Sequence, residues 1–231
     1  MDLDRAEVRG SRREVADLHD VEHGVSLSSC TAALHLAMRA LDIGPGDEVI
    51  VPSLTFVATA SSVRMVGATP VFADIESVDR WTIDPEDVAS KITDQTKAIV
   101  AMHYGGHGAD MPSLCSLADA HGLSVVEDAC HAPMGKLGSS MLGSFGDISC
   151  YSFYTNKNIS TAEGGMLLTD HEDVAERVRI LRSHGMTTTA YEREDGSGLY
   201  DVKEFGYNYR MDDIRASIGL AQLEKLPGDI K

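Results

Sequence analysis

Four stretches place ligand-holding or reactive groups beside short apolar runs. Ser28-Ser29-Cys30-Thr31-Ala32-Ala33 follows a strand-like run and opens a helical pattern. Small residues and hydroxyls at a helix N-terminus suit a phosphate, which the backbone N–H groups there can hold. Val125-Val126-Glu127-Asp128 ends a second apolar run in two acids, with His131 three residues on. Adjacent strand residues face opposite ways, so one acid can meet a ligand while the other does not. A carboxylate in that place can pair with a protonated ring nitrogen. The third stretch is SCYSFYTNKN, Ser149 to Asn158, where Lys157 is one of seven lysines and the sole charge between Ile148 and Ala162. A lysine kept away from solvent can act as an amine nucleophile or Schiff-base former. Glu163-Gly164-Gly165 after it is predicted to be a tight turn that uses glycine's backbone freedom. The fourth is Gly206-Tyr207-Asn208-Tyr209-Arg210-Met211, polar and aromatic enough to be an ordered loop.

Taken singly, each stretch has a plainer reading. Ser and Thr cap helices, an acid caps a turn, a single histidine is usually structural, most lysines are surface groups, and Asp212 can cap the last helix. The combination is more informative. Hydroxyls for a phosphate, an aromatic at the helix start Thr55-Phe56, an acid at a strand end and a Ser-x4-Lys are together what pyridoxal 5'-phosphate requires. The phosphate needs a cup, the ring a stacking face, the pyridine nitrogen an acid and the aldehyde a lysine.

These groups must be positioned by βα units. Apolar runs at Gly24–Leu27, Val49–Val51, Pro70–Ala73, Ala98–Met102, Leu123–Val126, Ile148–Ser152 and Met166–Thr169 are predicted strands. Between them lie helical patterns at Thr31–Leu41, Phe56–Val66, a start at Asp84-Pro85-Glu86, Ser113–His121 closed by Gly122, and Asp173–Ser183. A last helix runs from Asp212 to Leu226 and stops at Pro227-Gly228. The expected fold is α/β: three layers, αβα, around a mostly parallel sheet, with ligands at the carboxyl ends of the strands. The 231 residues are 43% hydrophobic and 24% charged, which excludes a disordered or collagen-like chain. A formal charge of -16 disfavours nucleic acid and anionic membranes as partners. Four cysteines without a CxxC or metal spacing predict reduced thiols in a cytoplasmic protein. The charged start MDLDRAEVRGSRREVADLHD has no signal-like apolar core, and no apolar run approaches the roughly 18 residues that span a bilayer.

SSCTAALHLAMRAL, GPGDEVIVPSLTFVATASSV, GATPVFADI, HYGGHGADM, VVEDACHA, GSFGDISCYSFYTNKNISTAEGGMLLT, RSHGM and GYNYRMDDIRASIGLAQLEKL together resemble the DegT/DnrJ/EryC1/StrS sugar aminotransferases, which are fold type I pyridoxal phosphate enzymes. The resemblance runs from about His23 to Leu226. It implies that Lys157 is the catalytic lysine, forming the Schiff base and shuttling the proton between Cα and C4′. It further implies that Asp128 keeps the pyridine nitrogen protonated, His131 contacts the ring near its phenolic oxygen, and Phe56 stacks on the ring. Thr31, Ala32 and Ser152 would bind the phosphate, and Asn208 would reach the phosphate of a neighbouring subunit in a homodimer with shared active sites. The amino donor is expected to be glutamate and the acceptor a keto sugar, nucleotide-linked or a cyclic polyol ketone, in polysaccharide or antibiotic biosynthesis. The implied organisation is a helical lead-in over 1–22 and a cofactor-binding large domain over 23–226. By the same resemblance the small C-terminal domain of relatives is expected to be missing from these 231 residues, and Cys30 stands where the family carries glycine. Two other readings follow: a truncated, non-catalytic or regulatory homologue that keeps the fold, and a sugar dehydratase. The dehydratase is disfavoured because such relatives replace the lysine with histidine.

Overall fold

Short apolar runs bounded by turn residues become strands in this chain, and the amphipathic stretches between them become helices that cover the sheet. The computed structural model describes residues 6–187 and 201–226. In chain order the elements are α1 (Ala6–His19), β1 (His23–Leu27), α2 (Cys30–Ala40), β2 (Glu48–Pro52), α3 (Val57–Met65), β3 (Thr69–Ala73), β4 (Ile75–Ser77), β5 (Arg80–Ile83), α4 (Pro85–Lys91) and β6 (Thr96–Met102). There follow α5 (Met111–His121), β7 (Ser124–Asp128), β8 (Lys136–Leu137), β9 (Ser140–Met141), β10 (Ile148–Ser152), β11 (Gly165–Thr169), α6 (Glu172–Leu181) and α7 (Asp213–Leu223). The expected strands and helices are all present. The Pro227-Gly228 stop and residues 1–5 of the lead-in lie outside the described residues.

Seven strands form one sheet in the order β1-β11-β10-β7-β6-β2-β3. The pairings β10–β7, β7–β6, β6–β2 and β2–β3 are parallel, while β11 runs antiparallel to both β1 and β10. The sequence reading did not foresee the reversal of β11, because a fully buried strand carries no mark of its direction. Trp81–Ile83 reads as extended in the sequence and forms most of β5, but its pairing with β4 and the hairpin β8–β9 were not foreseen, being too short to show a period.

Alternation along the strands divides the core into two faces. Val49, Val51, Ala98, Val100, Val126, Ile148, Cys150 and Leu167 face the layer of α2, α3 and α6. Ile50, Ile99, Ala101 and Val125 face α4 and α5, and Tyr151, Met166 and Leu168 face α1 and α7. The result is the expected three-layer αβα arrangement. Among the described residues no helix is long and apolar enough to cross a membrane.

Two buried polar ties hold the loops at the strand ends. Glu127 is fully buried and takes four hydrogen bonds at 2.8 Å: His103 Nε2 and the Gly143 N–H on Oε2, and the Phe145 and Gly146 N–H groups on Oε1. His103 Nδ1 accepts from the Ala109 N–H at 3.3 Å, so the ring proton sits on Nε2 and is donated to Glu127. Burial opposes the charge of Glu127, but the His103, Gly146 and Gly143 hydrogen bonds outweigh it and hold the carboxyl below its ordinary range. Gly143 is required in this clamp. Its φ is 91°, and a Cβ would run into the Tyr151 hydroxyl.

The second tie is His19, 1% exposed at the end of α1. Its Nδ1–H donates to the Val15 carbonyl (2.9 Å) and its Nε2 accepts from the Met134 N–H (3.2 Å), which joins α1 to the turn after His131. Burial pushes the His19 pKa below the ordinary 6.5, so the neutral form belongs to the fold.

Two outcomes are expected. Glu127→Ala strands three N–H donors and His103 in the interior and lowers stability by about 3–5 kcal/mol in a denaturant titration; the exposed Glu22→Ala stays within about 0.5 kcal/mol of wild type. For His19 the neutral tie is intact above the ordinary histidine pKa and is lost as pH falls below it. The thermal midpoint of wild type therefore falls more than that of His19→Gln between about pH 7 and about pH 5. Parallel curves for the two proteins would contradict this.

Candidate active site

A cavity of about 530 Å³ opens at the carboxyl ends of β1, β7 and β10. Ser29, Cys30 and Thr31 from the start of α2 line it, with Thr55, Phe56 and Ala58 around the start of α3. Asp128, Cys130 and His131 follow β7, and Ser152, Tyr154, Asn156, Lys157, Glu163 and Gly164 follow β10. Six of the eight residues singled out from the sequence therefore share one cavity: Thr31, Phe56, Asp128, His131, Ser152 and Lys157.

The start of α2 is an open helix end that lines the cavity. Ser29 caps the helix, its Oγ accepting from the Ala32 N–H (3.1 Å) and its carbonyl from the Ala33 N–H (3.1 Å). The N–H groups of Cys30 and Thr31, first in the helix, have no carbonyl a turn behind them and point out of its end. The Ala32 N–H is taken by Ser29 Oγ, and its side chain is buried and does not line the cavity. The antiparallel β11 presses against this end of α2. A Cβ on Gly165 would lie 2.3 Å from the Ser29 carbonyl carbon and 2.5 Å from the Cys30 nitrogen, so only glycine permits the approach. The predicted role of the glycine pair in a turn is thus corrected. Neither Gly164 nor Gly165 has positive φ; the neighbouring Ala162 does, at 68°, and the glycines are required by close packing.

Asp128 ends β7 on the face of α2 and α3, opposite to Glu127, and is 2% exposed. Its Oδ2 accepts from the Thr59 hydroxyl at 2.8 Å, and its Oδ1 takes a long hydrogen bond of 3.4 Å from the Cys130 N–H. His131 Nδ1 accepts from the Gly105 N–H (3.3 Å), which leaves the ring proton on Nε2. Burial and the Lys157 ammonium push the His131 pKa below the ordinary histidine value. Its ring meets Tyr104 edge-on at 5.9 Å, and Tyr104 in turn meets Trp81 at 6.0 Å.

Lys157 sits in a loop closed on itself. The Phe153 N–H donates to the Gly164 carbonyl, the Thr161 N–H to the Phe153 carbonyl and the Lys157 N–H to the Tyr154 carbonyl, each at 2.9 Å. The ammonium Nζ is 3.9 Å from Cys130 Sγ. Cys30, the departure at the helix start, turns its thiol toward Cys130. That hydrogen bond and then burial push its pKa well up, so it stays a neutral thiol beside the open helix end. Phe56, the N-cap residue of α3, is 63% exposed and presents a bare aromatic ring at the mouth.

Asn208 lies outside this cavity. It is exposed, and its backbone bridges to Ser183. Thr59, Cys130 and Tyr104 were missed by the sequence reading. Thr59 left one trace, a hydroxyl four residues after Thr55, which places both on one side of a helix start. Among the described residues no group of His, Cys, Asp or Glu is arranged to hold a metal ion. An open helix end, a buried carboxylate and an amine lining one cavity are together able to hold an anionic heteroaromatic carbonyl compound.

Comparisons with known proteins agree with that chemistry. The chain is 45% identical over 221 residues to the spore coat polysaccharide biosynthesis protein SpsC of Bacillus subtilis, covering 95% of this chain and 57% of that protein. It is 44% identical to a UDP-N-acetyl-3-dehydro-alpha-D-glucosamine 3-aminotransferase of Acidithiobacillus ferrooxidans, covering 94% of this chain and 56% of that one. Among solved structures, the pyridoxal phosphate form of the putative sugar aminotransferase Spr1654 from Streptococcus pneumoniae superposes with a TM-score of 0.87 at 31% identity. That match covers 98% of this chain and 61% of the other. The chain thus spans little more than half the length of the curated relatives it matches. With a fold type I architecture and a sequence model that matches residues 6–231, the chain belongs to the DegT/DnrJ/EryC1/StrS aminotransferase family.

Proposed function

We propose that this chain holds the cofactor-binding part of a pyridoxal 5'-phosphate-dependent aminotransferase, which moves an amino group from an amino acid, glutamate by preference, to a keto sugar linked to a nucleotide. The observation that carries this reading is a single cavity combining the Lys157 amine, the buried Asp128 carboxylate and the open N-terminus of α2. The residues fit the cofactor: the neutral Cys30 thiol adds no negative charge beside the phosphate position, and Asp128 is buried on the cavity floor.

When bound, the cofactor supplies an aldehyde and an electron-withdrawing ring. The chain supplies the rest. The Cys30 and Thr31 N–H groups and the Ser152 hydroxyl would hold the phosphate, and Phe56 would cover one face of the ring. Asp128 keeps a proton on the ring nitrogen. His131 donates its Nε2–H toward the ring oxygen, a role that needs the neutral imidazole with Nδ1 occupied by Gly105. Lys157 Nζ, which lines the same cavity, would hold the aldehyde end of the cofactor and would move a proton at the carbon bearing the amino group. Residues 23–226 form the cofactor-binding domain behind the lead-in of 1–22. Asn208, exposed and away from its own cavity, serves the phosphate site of a second copy in a homodimer with shared sites. The names of the relatives support a UDP-linked acceptor and a role in polysaccharide synthesis. The four free thiols support a reducing, cytoplasmic setting.

Titration with pyridoxal phosphate tests the reading. The wild-type chain is expected to gain a visible absorbance band, and borohydride to fix the cofactor to Lys157 as judged by peptide mass. Lys157→Ala is expected to give neither. A wild-type chain that takes up no cofactor overturns the proposal. Uptake without amino transfer from glutamate to any keto-sugar nucleotide would favour the non-catalytic homologue.

A further inference from the structure

Asp128 is not held by the strand alone. Both Thr59 and Asp128 are at most 2% exposed, and the Thr59 hydroxyl lies 2.8 Å from Asp128 Oδ2. An ionised carboxylate only accepts, so Thr59 must be the donor. The Thr59 oxygen lies 2.7 Å from Thr55 Oγ1, one turn earlier, and with its own proton committed to Asp128 it must accept there. Thr55 Oγ1 also lies 2.9 Å from Met102 Sδ. If Thr55 gave its proton to that sulfur, two hydroxyl oxygens would face each other at 2.7 Å with no proton between them. The consistent assignment is a relay from Thr55 to Thr59 to Asp128.

Helical threonines commonly return their hydroxyl to a backbone carbonyl of the preceding turn. Thr59 instead spends its proton on a carboxylate across the interface between α3 and β7. The consequence is asymmetric. Oδ2 is occupied by a short, charge-assisted hydrogen bond, while Oδ1 has only the 3.4 Å contact with the Cys130 N–H and keeps capacity for a ligand.

We propose that Thr59 is the positioning residue of the site: its hydroxyl, oriented by Thr55, fixes the rotation of the Asp128 carboxylate so that Oδ1 meets the protonated ring nitrogen. This rests on the functional reading above. Thr59 touches neither cofactor nor substrate and acts through Asp128.

The test is the pyridoxal phosphate dissociation constant of the full chain, read by absorbance, in four proteins and one background. Thr59→Val, which keeps the shape and removes the hydroxyl, is expected to weaken binding roughly 10- to 100-fold, the range of a hydrogen bond to a charged group. Thr59→Ser restores the hydroxyl and is expected to stay within about threefold of wild type. Thr55→Val, which removes only the orienting hydroxyl, is expected to fall between. In an Asp128→Ala background the Thr59→Val loss should disappear, because the two effects run through one interaction. Thermal midpoints without cofactor report folding, and Thr59→Ala against Thr59→Ser decides the matter if Thr59→Val does not fold. Wild-type affinity in the variants lacking the hydroxyl overturns this inference alone, as does an undiminished loss in the Asp128→Ala background. A wild-type chain that binds no pyridoxal phosphate overturns the functional reading, and this inference with it.

Discussion

A strand cannot send two adjacent side chains to the same face, and at the end of β7 this rule separates two buried carboxylates. Glu127 turns toward α5 and is closed off by three backbone N–H groups and His103. Asp128 turns toward α2 and α3, lines the cavity and has on Oδ1 only the 3.4 Å contact with the Cys130 N–H. The first acid organises the chain that follows β7, since the 143–146 segment is folded around its oxygens. That segment leads directly into β10, and β10 carries Ser152 and the Lys157 loop. The position of the amine therefore depends on the acid that makes no contact with the cavity.

The end of the site at the start of α2 depends on a different kind of constraint, close packing of backbone on backbone. β11 is reversed relative to its neighbours and lies between β1 and β10, so Gly165 abuts the Ser29-Cys30 peptide directly. This contact couples the start of α2 to the end of the lysine loop. With β11 fixed against the backbone, the Cys30 side chain finds its partner in Cys130, from the stretch after β7, and remains a neutral thiol.

Asp128 shows why hydrogen bonding and burial have to be weighed together. A carboxylate taken out of water is costly unless its oxygens are satisfied. Here one oxygen is satisfied by protein and the other nearly empty of partners. The same logic applies to His131, where the Gly105 N–H fills Nδ1 and directs the remaining ring proton toward the cavity.

Local chemistry decided much of this in the sequence itself. The alternation of strands and helices, the caps at Ser29, Asp84 and Asp212, and the meeting of Thr31, Phe56, Asp128, His131, Ser152 and Lys157 at strand ends are consequences of periodicity and of the α/β rule for ligand sites. What remained illegible lies between segments far apart in the chain. The antiparallel sense of β11, the demand for glycine at 165, the loss of the Ala32 N–H to its own cap and the grip of Thr59 on Asp128 all depend on which backbones come within contact distance. A residue's type states what it can bond to. Only the packed sheet and its helices decide which of those bonds are within reach, because hydrogen bonds and steric contacts act over a few ångströms while their partners here stand tens of residues apart.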